Sequence, residues 1–325
     1  FGYFFTNHPN TLDRHGEWAY HPQSQRITLY LDPHTEPEEL RIEVPVLDEL
    51  LNIRFRDHIT VTDLRFIHSR DVSVLITHSQ GVTFTNCEIE QSAHDALQGI
   101  SNNGFTCTYN RIVDTQNNGM TLTDCDSCEV SYNEIRRTAL HAGMGSNGNG
   151  EYLVCLLRGD HSNFTYNLID SAGYNGLYFR GSYLNVHRNV VSYSCLIKDD
   201  GAGIYTWQDG SAPDTMRRVT ENLILHSDGA PEGTSNPELY AAEGIYADDH
   251  SANLLIEGNT VAFCGDKGIY LHNCYNVDVL DNLVYATSRQ IYLRHDDIAP
   301  AWPIRNVQVK HNIFFGTRLS DLSVD

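Results

Sequence analysis

The chain has 325 residues and a net charge of −20, from 42 acidic residues against 22 basic ones. This excess of acid argues against nucleic-acid binding, which requires a basic surface. No stretch approaches the roughly 18 consecutive apolar residues of a membrane span, so no membrane partner is expected either. A hydrophobic content of 41% is ordinary for a globular protein, and an acidic surface is typical of a soluble secreted protein.

Of the eight cysteines, only Cys125 and Cys128 have the C-x-x-C spacing. One such pair alone is a weak indication of zinc, and we expect no metal site. The repeat described below places Cys107 and Cys128 inside the fold. These cysteines are therefore expected to act as small buried apolar residues.

The main repeat of the chain has the form Asn-x-(Ile/Val/Phe), with an apolar residue three positions before each Asn. Its eight copies begin at Asn110, Asn133, Asn167, Asn189, Asn222, Asn259, Asn282 and Asn312. An imperfect earlier copy places Cys87 in the Asn register. Asn side chains stacked at successive bends can hydrogen-bond along the stack, and Asn tolerates the left-handed backbone that we expect at a tight bend. We therefore predict that these residues hold the fold and are not catalytic.

The shortest intervals between these Asn residues, 22 and 23 positions, fit one coil of three short strands and three turns. Helical periodicity is absent, and β-branched residues, Gly, Asn and Asp dominate. One coil cannot bury its own apolar face, so coils must stack, and parallel crossovers wind right-handed. We predict an all-β protein: a small N-terminal β segment at residues 1–58, followed by a right-handed parallel β-helix at residues 59–325.

A second repeat marks one strand of each later coil, with an apolar residue followed by Tyr. Alternation along a strand places two columns of side chains on the outer face. The first column is Tyr178, Tyr205, Tyr246, Tyr270 and Tyr292, and the second is Arg180, Trp207, Asp248, His272 and Arg294. Such a surface suits a polyhydroxylated or anionic ligand such as a glycan. For Tyr178 and Tyr292 a purely structural role explains the pattern equally well.

Two insertions lie beside the middle of this strand column, a Gly-rich piece at residues 139–150 and a second piece at residues 208–214. Long loops beside one face of a rigid scaffold commonly build a binding groove. We therefore predict a groove over the outer columns.

Carboxylates crowd the same strands, namely Asp199, Asp200, Glu243, Asp248 and Asp249. Glycoside hydrolysis requires two carboxyl groups, one to protonate the leaving oxygen and one to act as base or nucleophile. Strand dimensions place Asp200 and Glu243 roughly 8 Å apart, within the ~6.5–9.5 Å separation of inverting enzymes. For Asp249 the capping of a turn is an equally good explanation.

Two other functions remain open. A polysaccharide lyase or epimerase acting on uronates needs a base and a group that neutralises the substrate carboxylate, often a calcium ion. Lys198, Lys267, Arg180, Arg294 and His272 are candidates for those roles. The third possibility is a solenoid that binds glycans without catalysis. No cofactor is expected for a hydrolase, and calcium only for a lyase.

The segments 2–7, 11–13, 16–20 and 29–33 resemble the region before the solenoid in bacterial β-helix proteins that degrade glycans. The motifs at residues 199–205 and 244–249 are similar to those of the α-L-fucosidase/xylanase β-helix enzymes, as in glycoside hydrolase family 141. The resemblance implies a bacterial hydrolase of plant or algal glycans that is secreted, periplasmic or on the cell surface. It implies two catalytic aspartates, Asp200 with Asp248 or Asp249, whereas the spacing argument pairs Asp200 with Glu243, so the partner is left open. The expected subsite residues are Tyr178, Arg180, Tyr205, Trp207, Tyr246, Lys267, His272 and Arg294.

Overall fold

The computed structural model describes residues 5, 7–143, 146, 152–210, 215–232, 234, 236–296 and 304–316. In these ranges the chain forms 32 β-strands and two short 3-10 helices, Pro9–Thr11 and Pro37–Glu39. None of the described helices has the length and apolar character needed to cross a membrane. The chain divides into two compact units, one of residues 1–44 with 232–237 and one of residues 45–231 with 238–325.

The first unit contains an antiparallel hairpin of β1 (Trp18–His21) and β2 (Arg26–Leu29). Trp18 pairs with Leu29, and Ala19 is fully buried. The predicted N-terminal β segment is thus present. The boundary between residues 58 and 59 stays a prediction as a domain limit, and the first strand of the second unit already begins at Leu51.

The second unit is built from three parallel sheets of ten strands, and each coil of the chain adds one strand to each sheet. Sheet A contains β3 (Leu51–Arg54), β6 (Val74–Thr77), β9 (Leu97–Ile100), β12 (Met120–Thr123), β15 (Cys155–Arg158), β18 (Leu177–Arg180), β21 (Gly201–Thr206), β24 (Ala242–Ala247), β27 (Lys267–His272) and β30 (Arg289–Arg294). Sheet B contains β4 (Thr60–Thr62), β7 (Thr83–Thr85), β10 (Thr106–Thr108), β13 (Glu129–Ser131), β16 (Asn163–Thr165), β19 (Asn185–His187), β22 (Arg217–Thr220), β25 (Ala252–Glu257), β28 (Tyr275–Leu280) and β31 (Arg305–Lys310). Sheet C contains β5 (Arg65–Ile67), β8 (Glu88–Glu90), β11 (Arg111–Thr115), β14 (Glu134–Thr138), β17 (Leu168–Ala172), β20 (Val190–Ser194), β23 (Leu223–Ser227), β26 (Thr260–Ala262), β29 (Leu283–Tyr285) and β32 (Ile313–Phe315). The predicted right-handed parallel β-helix is confirmed.

The core of the solenoid is one continuous column of apolar side chains from the inner faces of all three sheets. The eight cysteines are free and buried, and Cys107 and Cys128 belong to this core as predicted. Parallel stacking is what makes the column continuous, because each coil covers the apolar face of the one before it.

The predicted asparagine ladder runs between sheets B and C. Each Asn amide donates to the side-chain oxygen of the next Asn, at 3.0 Å from Asn110 to Asn133 and 2.9 Å from Asn282 to Asn312. Cys87 occupies the Asn register as predicted, since its N–H donates to Asn110 Oδ1 at 2.9 Å. The expectation of a left-handed Asn was wrong. The positive φ falls on the preceding residue, as at Tyr109 (φ 58°), and this bend turns the Asn side chain into the interior.

Two glycines of sheet A, Gly203 and Gly244, lie directly against side chains of sheet C. A Cβ on Gly244 would lie 2.2 Å from Val261 Cγ1, and one on Gly203 would lie 2.6 Å from Ile224 Cγ2. Glycine therefore allows sheet C to pack closely against sheet A.

The two insertions, residues 139–150 and 208–214, lie partly outside the described residues, so their role as groove walls stays a prediction.

Candidate active site

The outer face of sheet A carries the predicted tyrosine column in register, from Tyr178 through Tyr205, Tyr246 and Tyr270 to Tyr292. Successive ring centroids lie 4.6–5.5 Å apart. Tyr246 and Tyr270 are only 5% and 6% exposed. The rings in the middle of the column are therefore packed against one another. Their hydroxyl groups make the polar contacts, as Tyr205 does with Asp248 and Tyr246 with His272.

Asp248 follows β24 and lies at the centre of a hydrogen-bonded cluster. Its Oδ2 accepts from the Tyr205 hydroxyl at 2.7 Å, and its Oδ1 is 2.8 Å from His272 Nδ1. Burial acts to raise the pKa of Asp248, but the hydrogen bonds from His272 and Tyr205 outweigh it and hold the pKa below its ordinary value. Asp248 is therefore an ionised carboxylate with both oxygens oriented.

His272 bridges two carboxylates. Its Nδ1 faces Asp248, and its Nε2 lies 2.9 Å from Asp296 Oδ2. Desolvation alone would lower the pKa of His272, but the hydrogen bonds to Asp248 and Asp296 raise it above its usual value. Both ring nitrogens face carboxylates, which accept hydrogen bonds, so this arrangement favours the doubly protonated imidazolium form of His272. Arg294 Nε donates a hydrogen bond to Asp296 Oδ1 at 2.9 Å, so Arg294 affects His272 indirectly, by orienting Asp296.

Asp200 lies just before β21 in a left-handed conformation (φ 61°), and its side chain is accessible to solvent. Its N–H donates to the Ala241 carbonyl, and its own carbonyl accepts from the Tyr174 hydroxyl, each at 2.7 Å. Partial desolvation raises the pKa of Asp200, and the negative charges of Asp248 and Asp199 raise it further. Asp200 and Asp248 thus act on each other electrostatically while their pKa values move in opposite directions.

Glu243 lies beside Ala202 in the sheet register and is only 2% exposed. Lys267 Nζ donates to Glu243 Oε1 at 2.8 Å and also contacts Asp266. Burial raises the pKa of Glu243 to about 8, against the opposing effect of Lys267. The pKa of Lys267 is also raised, because its acidic partners outweigh desolvation. Glu243 thus faces the Lys267 ammonium and not the solvent, which favours Asp248 over Glu243 as the partner of Asp200.

Asp249 lies beside this cluster and accepts from Asn273 Nδ2 at 2.7 Å. Asp248, Asp249 and His272 each offer one ligand atom, and these three atoms lie within 4.8 Å of one another, close enough together to bind one metal ion. Carboxylate oxygens are the ligands that calcium prefers. Any such ion would compete with His272 for Asp248.

Trp207, Arg180 and Tyr178 form a second group, towards the N-terminal coils. The Arg180 guanidinium lies 5.7 Å from the Trp207 ring centroid and donates to Asp209 Oδ2 at 2.8 Å. Tyr178 packs edge-on against Tyr205, with ring centroids 5.2 Å apart. Trp207 is half-buried, so part of its ring can still be reached by a ligand.

Sequence reasoning missed three residues that complete the cluster. Asp296 forms a hydrogen bond with His272, and Asn273 donates one to Asp249. Asp266 forms an ion pair with Lys267. Asp266 directly precedes Lys267, so that pairing of opposite charges was visible in the sequence. For Asn273 and Asp296 there was no signal, because both lie in turns whose path the strand pattern does not predict.

Residues 50–216 and 147–320 match the family described as the right handed beta helix region. A solved glycoside hydrolase superposes with a TM-score of 0.63 at 13% identity, over 94% of this chain and 58% of its own. PfbA, a surface adhesin of Streptococcus pneumoniae, gives 0.51 at 11% identity, over 80% and 71% of the two chains. An alginate lyase from Paenibacillus sp. gives 0.41 at 12% identity, over 75% and 76%.

No curated protein matches the chain in sequence. The glycoside hydrolase and PfbA share its fold at low identity, and the chain spans 58% of the length of the glycoside hydrolase. The family match is broader, since its two segments together run from residue 50 to residue 320. The chain therefore belongs to the right-handed β-helix family.

Proposed function

We propose that this protein is a glycoside hydrolase of complex plant or algal glycans, with Asp200 and Asp248 as its acid and base. The observation that carries this proposal is a contrast between the two carboxyl groups. Hydrogen bonds with His272 and Tyr205 lower the pKa of Asp248, whereas the pKa of Asp200 is raised, in part by the charge of Asp248. A pair of carboxyl groups driven apart in this way is the arrangement that separates an acid from a base in glycosidases. A glycoside hydrolase with the same fold is consistent with it.

In this proposal Asp200, whose pKa is raised, is the group that donates a proton to the glycosidic oxygen as the bond to the anomeric carbon breaks. Asp248, already ionised, either removes a proton from the attacking water or attacks the anomeric carbon itself. Tyr205 and His272 fix the orientation of Asp248 through its two oxygens. Positioning of this kind lowers the entropy cost of reaching the transition state.

The charge states of the site favour hydrolysis over β-elimination. The base of a lyase must be unprotonated in order to take a proton from the sugar, yet Lys267 and His272 both have raised pKa values, which favours their protonated forms. Burial also raises the pKa of Tyr205 and Tyr246, so their hydroxyls hold their protons as well. The groups with low proton affinity in this cluster are carboxylates.

A calcium-dependent lyase or epimerase on uronates is the second candidate, and the grouping of Asp248, Asp249 and His272 favours it. A calcium ion there could neutralise a substrate carboxylate. Loss of activity with a chelator, together with products that absorb in the ultraviolet through an unsaturated end, would support this candidate over hydrolysis. Glycan binding without turnover of any substrate would instead indicate a non-catalytic solenoid.

The finer assignments belong to the same proposal. They are membership of the α-L-fucosidase/xylanase group similar to glycoside hydrolase family 141, a bacterial source, and a location outside the cytoplasm. Trp207 and Arg180 would form a sugar subsite beside the acid–base pair, while Tyr205 and His272 would act through Asp248. The hydrolysis requires no cofactor.

The test is a screen of neutral and anionic oligosaccharides for new reducing ends, followed by Asp200→Asn and Asp248→Asn on the best substrate. Each variant is expected to lose roughly 10²- to 10⁴-fold in kcat/KM. Asp278→Asn is the matched control, because Asp278 is half-buried like Asp248 but lies on sheet B. Full activity in Asp200→Asn, with the substrate still cleaved by hydrolysis, would remove the assignment.

A further inference from the structure

Arg158 ends β15 on the outer face of sheet A and is the register partner of Arg180 on the next strand. Its neighbour Leu157 belongs to the core, so alternation points Arg158 outwards. The side chain is half-buried. Among the described residues, no hydrogen bond or ion pair reaches its guanidinium, whereas Arg111 and Arg188 on other faces pair with Glu90 and Glu221.

Two arginines are therefore neighbours on the outer face of sheet A. Arg158 and Arg180 both act on the Tyr178 hydroxyl and lower its pKa against the stronger effect of burial, which raises it. Within the part of the chain that the structure describes, Arg180 has a carboxylate partner there, Asp209, and Arg158 has none. Like charges on adjacent strands, about 4.8 Å apart, destabilise a sheet unless an anion lies between or above them.

The sign of the charge changes along the sheet. The strand of Arg158 is three strands from the strand that leads to Asp248, so about 14 Å separates them. An acidic sugar chain laid along this face would be attracted at the Arg158 end and repelled near Asp248 and Asp200. The half-buried Tyr178 and Trp207 rings lie between the two ends.

We propose that Arg158, together with Arg180, forms a subsite for an anionic group of the glycan, a carboxylate or a sulfate ester. The planar guanidinium fork binds either group through two hydrogen bonds. The preferred substrate is then a glycan with a charged substituent bound towards the N-terminal coils, and a neutral sugar unit at the acid–base pair. This inference rests on the proposed glycoside hydrolase function for its account of the substrate, but the anion site can be tested alone.

The test uses matched probes in calorimetric titrations at low and physiological salt. Oligogalacturonate is compared with its methyl ester, and a sulfated carrageenan oligosaccharide with its desulfated form. The wild type is expected to prefer the charged member of at least one pair, and the preferred pair identifies the anion. Arg158→Gln should weaken binding of that charged probe by roughly tenfold, the effect of losing one charge-assisted contact, and leave the neutral probe unchanged.

Arg188→Gln is the control, because it removes the same charge from a turn on another face. Arg158→Lys should keep part of the preference, since it retains charge without the fork. If Arg158→Gln does not fold, the wild type alone still decides, because the charged probe should raise its unfolding temperature more than the neutral probe does at equal concentration. Equal affinity of the wild type for charged and neutral probes, or an unchanged ratio in Arg158→Gln, would overturn the proposal.

Failure of this inference is distinguishable from failure of the proposed function. Asp200→Asn should keep the preference for the charged probe while it loses turnover. If Asp200→Asn stays fully active, the acid assignment is lost and the anion site stands. If Arg158→Gln keeps the preference while Asp200→Asn is inactive, the anion site is lost and the hydrolase assignment stands.

Discussion

The protonation of Glu243 gives the sharpest test of how charge is arranged under the tyrosine column. Burial raises the pKa of Glu243 to about 8, so we expect Glu243 to be largely protonated at pH 7 while Lys267 keeps its charge and pairs with Asp266. An amide has nearly the shape of a protonated carboxyl group. We therefore expect Glu243→Gln to be at least as stable as the wild type at pH 7.

The magnitude follows from linkage between protonation and folding. Because the folded pKa of Glu243 is raised from 4.5 to about 8, its contribution to stability is full below pH 4.5 and is lost as the pH rises through about 8. Between pH 7 and pH 9 the wild type should lose about 1.4 kcal/mol relative to Glu243→Gln, which has no proton to release. At pH 9 the carboxyl group of Glu243 is largely ionised in the folded protein, so the loss of stability of the wild type should be close to its full extent.

Urea unfolding of both proteins at pH 7, 8 and 9 measures this difference. Glu221→Gln is the control, since Glu221 is exposed and pairs with Arg188, and its difference from the wild type should not change over this range. A large loss of stability in Glu243→Gln at pH 7 that stays constant up to pH 9 would refute the reasoning. It would show that Glu243 is ionised and held as an ion pair by Lys267.

Three further predictions concern the ladder, the close sheet contact and the orientation of the base. Asn222→Ala removes two hydrogen bonds donated by the side chain and two accepted by it, and urea unfolding should show a loss of about 2–4 kcal/mol. Gly244→Ala places a methyl group 2.2 Å from Val261 Cγ1 and should cost about 1–3 kcal/mol, part of which Val261→Ala should restore in the double variant. Tyr205→Phe removes a hydrogen bond that lowers the pKa of Asp248, so the acidic limb of the kcat/KM profile should move to higher pH; an unmoved limb would contradict the assignment of Asp248 as base.

The fold was readable from the sequence because one repeat fixes several structural features at once. The position of each Asn sets the ladder, and the apolar residues three before and two after it set the inner faces of sheets B and C. The Tyr repeat then fixes sheet A, and every Tyr pair that it predicts is present in the register. Such a pattern predicts a solenoid well because each coil interacts mainly with its two neighbours.

The candidate site was readable only in part. Alternation placed Asp248 and His272 on the outer face, but it did not predict that His272 bridges Asp248 and Asp296. It also did not predict that Glu243 is buried, because the glycine after it interrupts the alternation. Ala202 and Tyr205, three positions apart, belong to the same outer aromatic cluster, and Glu243 occupies the register of Ala202 on the next strand.

The difference between Asp200 and Asp248 arises from stacking and not from the residues themselves. The donors to Asp248 come from the coil before it, through Tyr205, and from the coil after it, through His272. Asp200 lies in a turn, and among the described residues no side chain donates a hydrogen bond to its carboxyl group. Once Asp248 is ionised, its charge raises the pKa of Asp200, so the stability of one anion favours the proton on the other. The proposed acid and base would thus arise from two identical side chains, because the repeat supplies donors to only one of them.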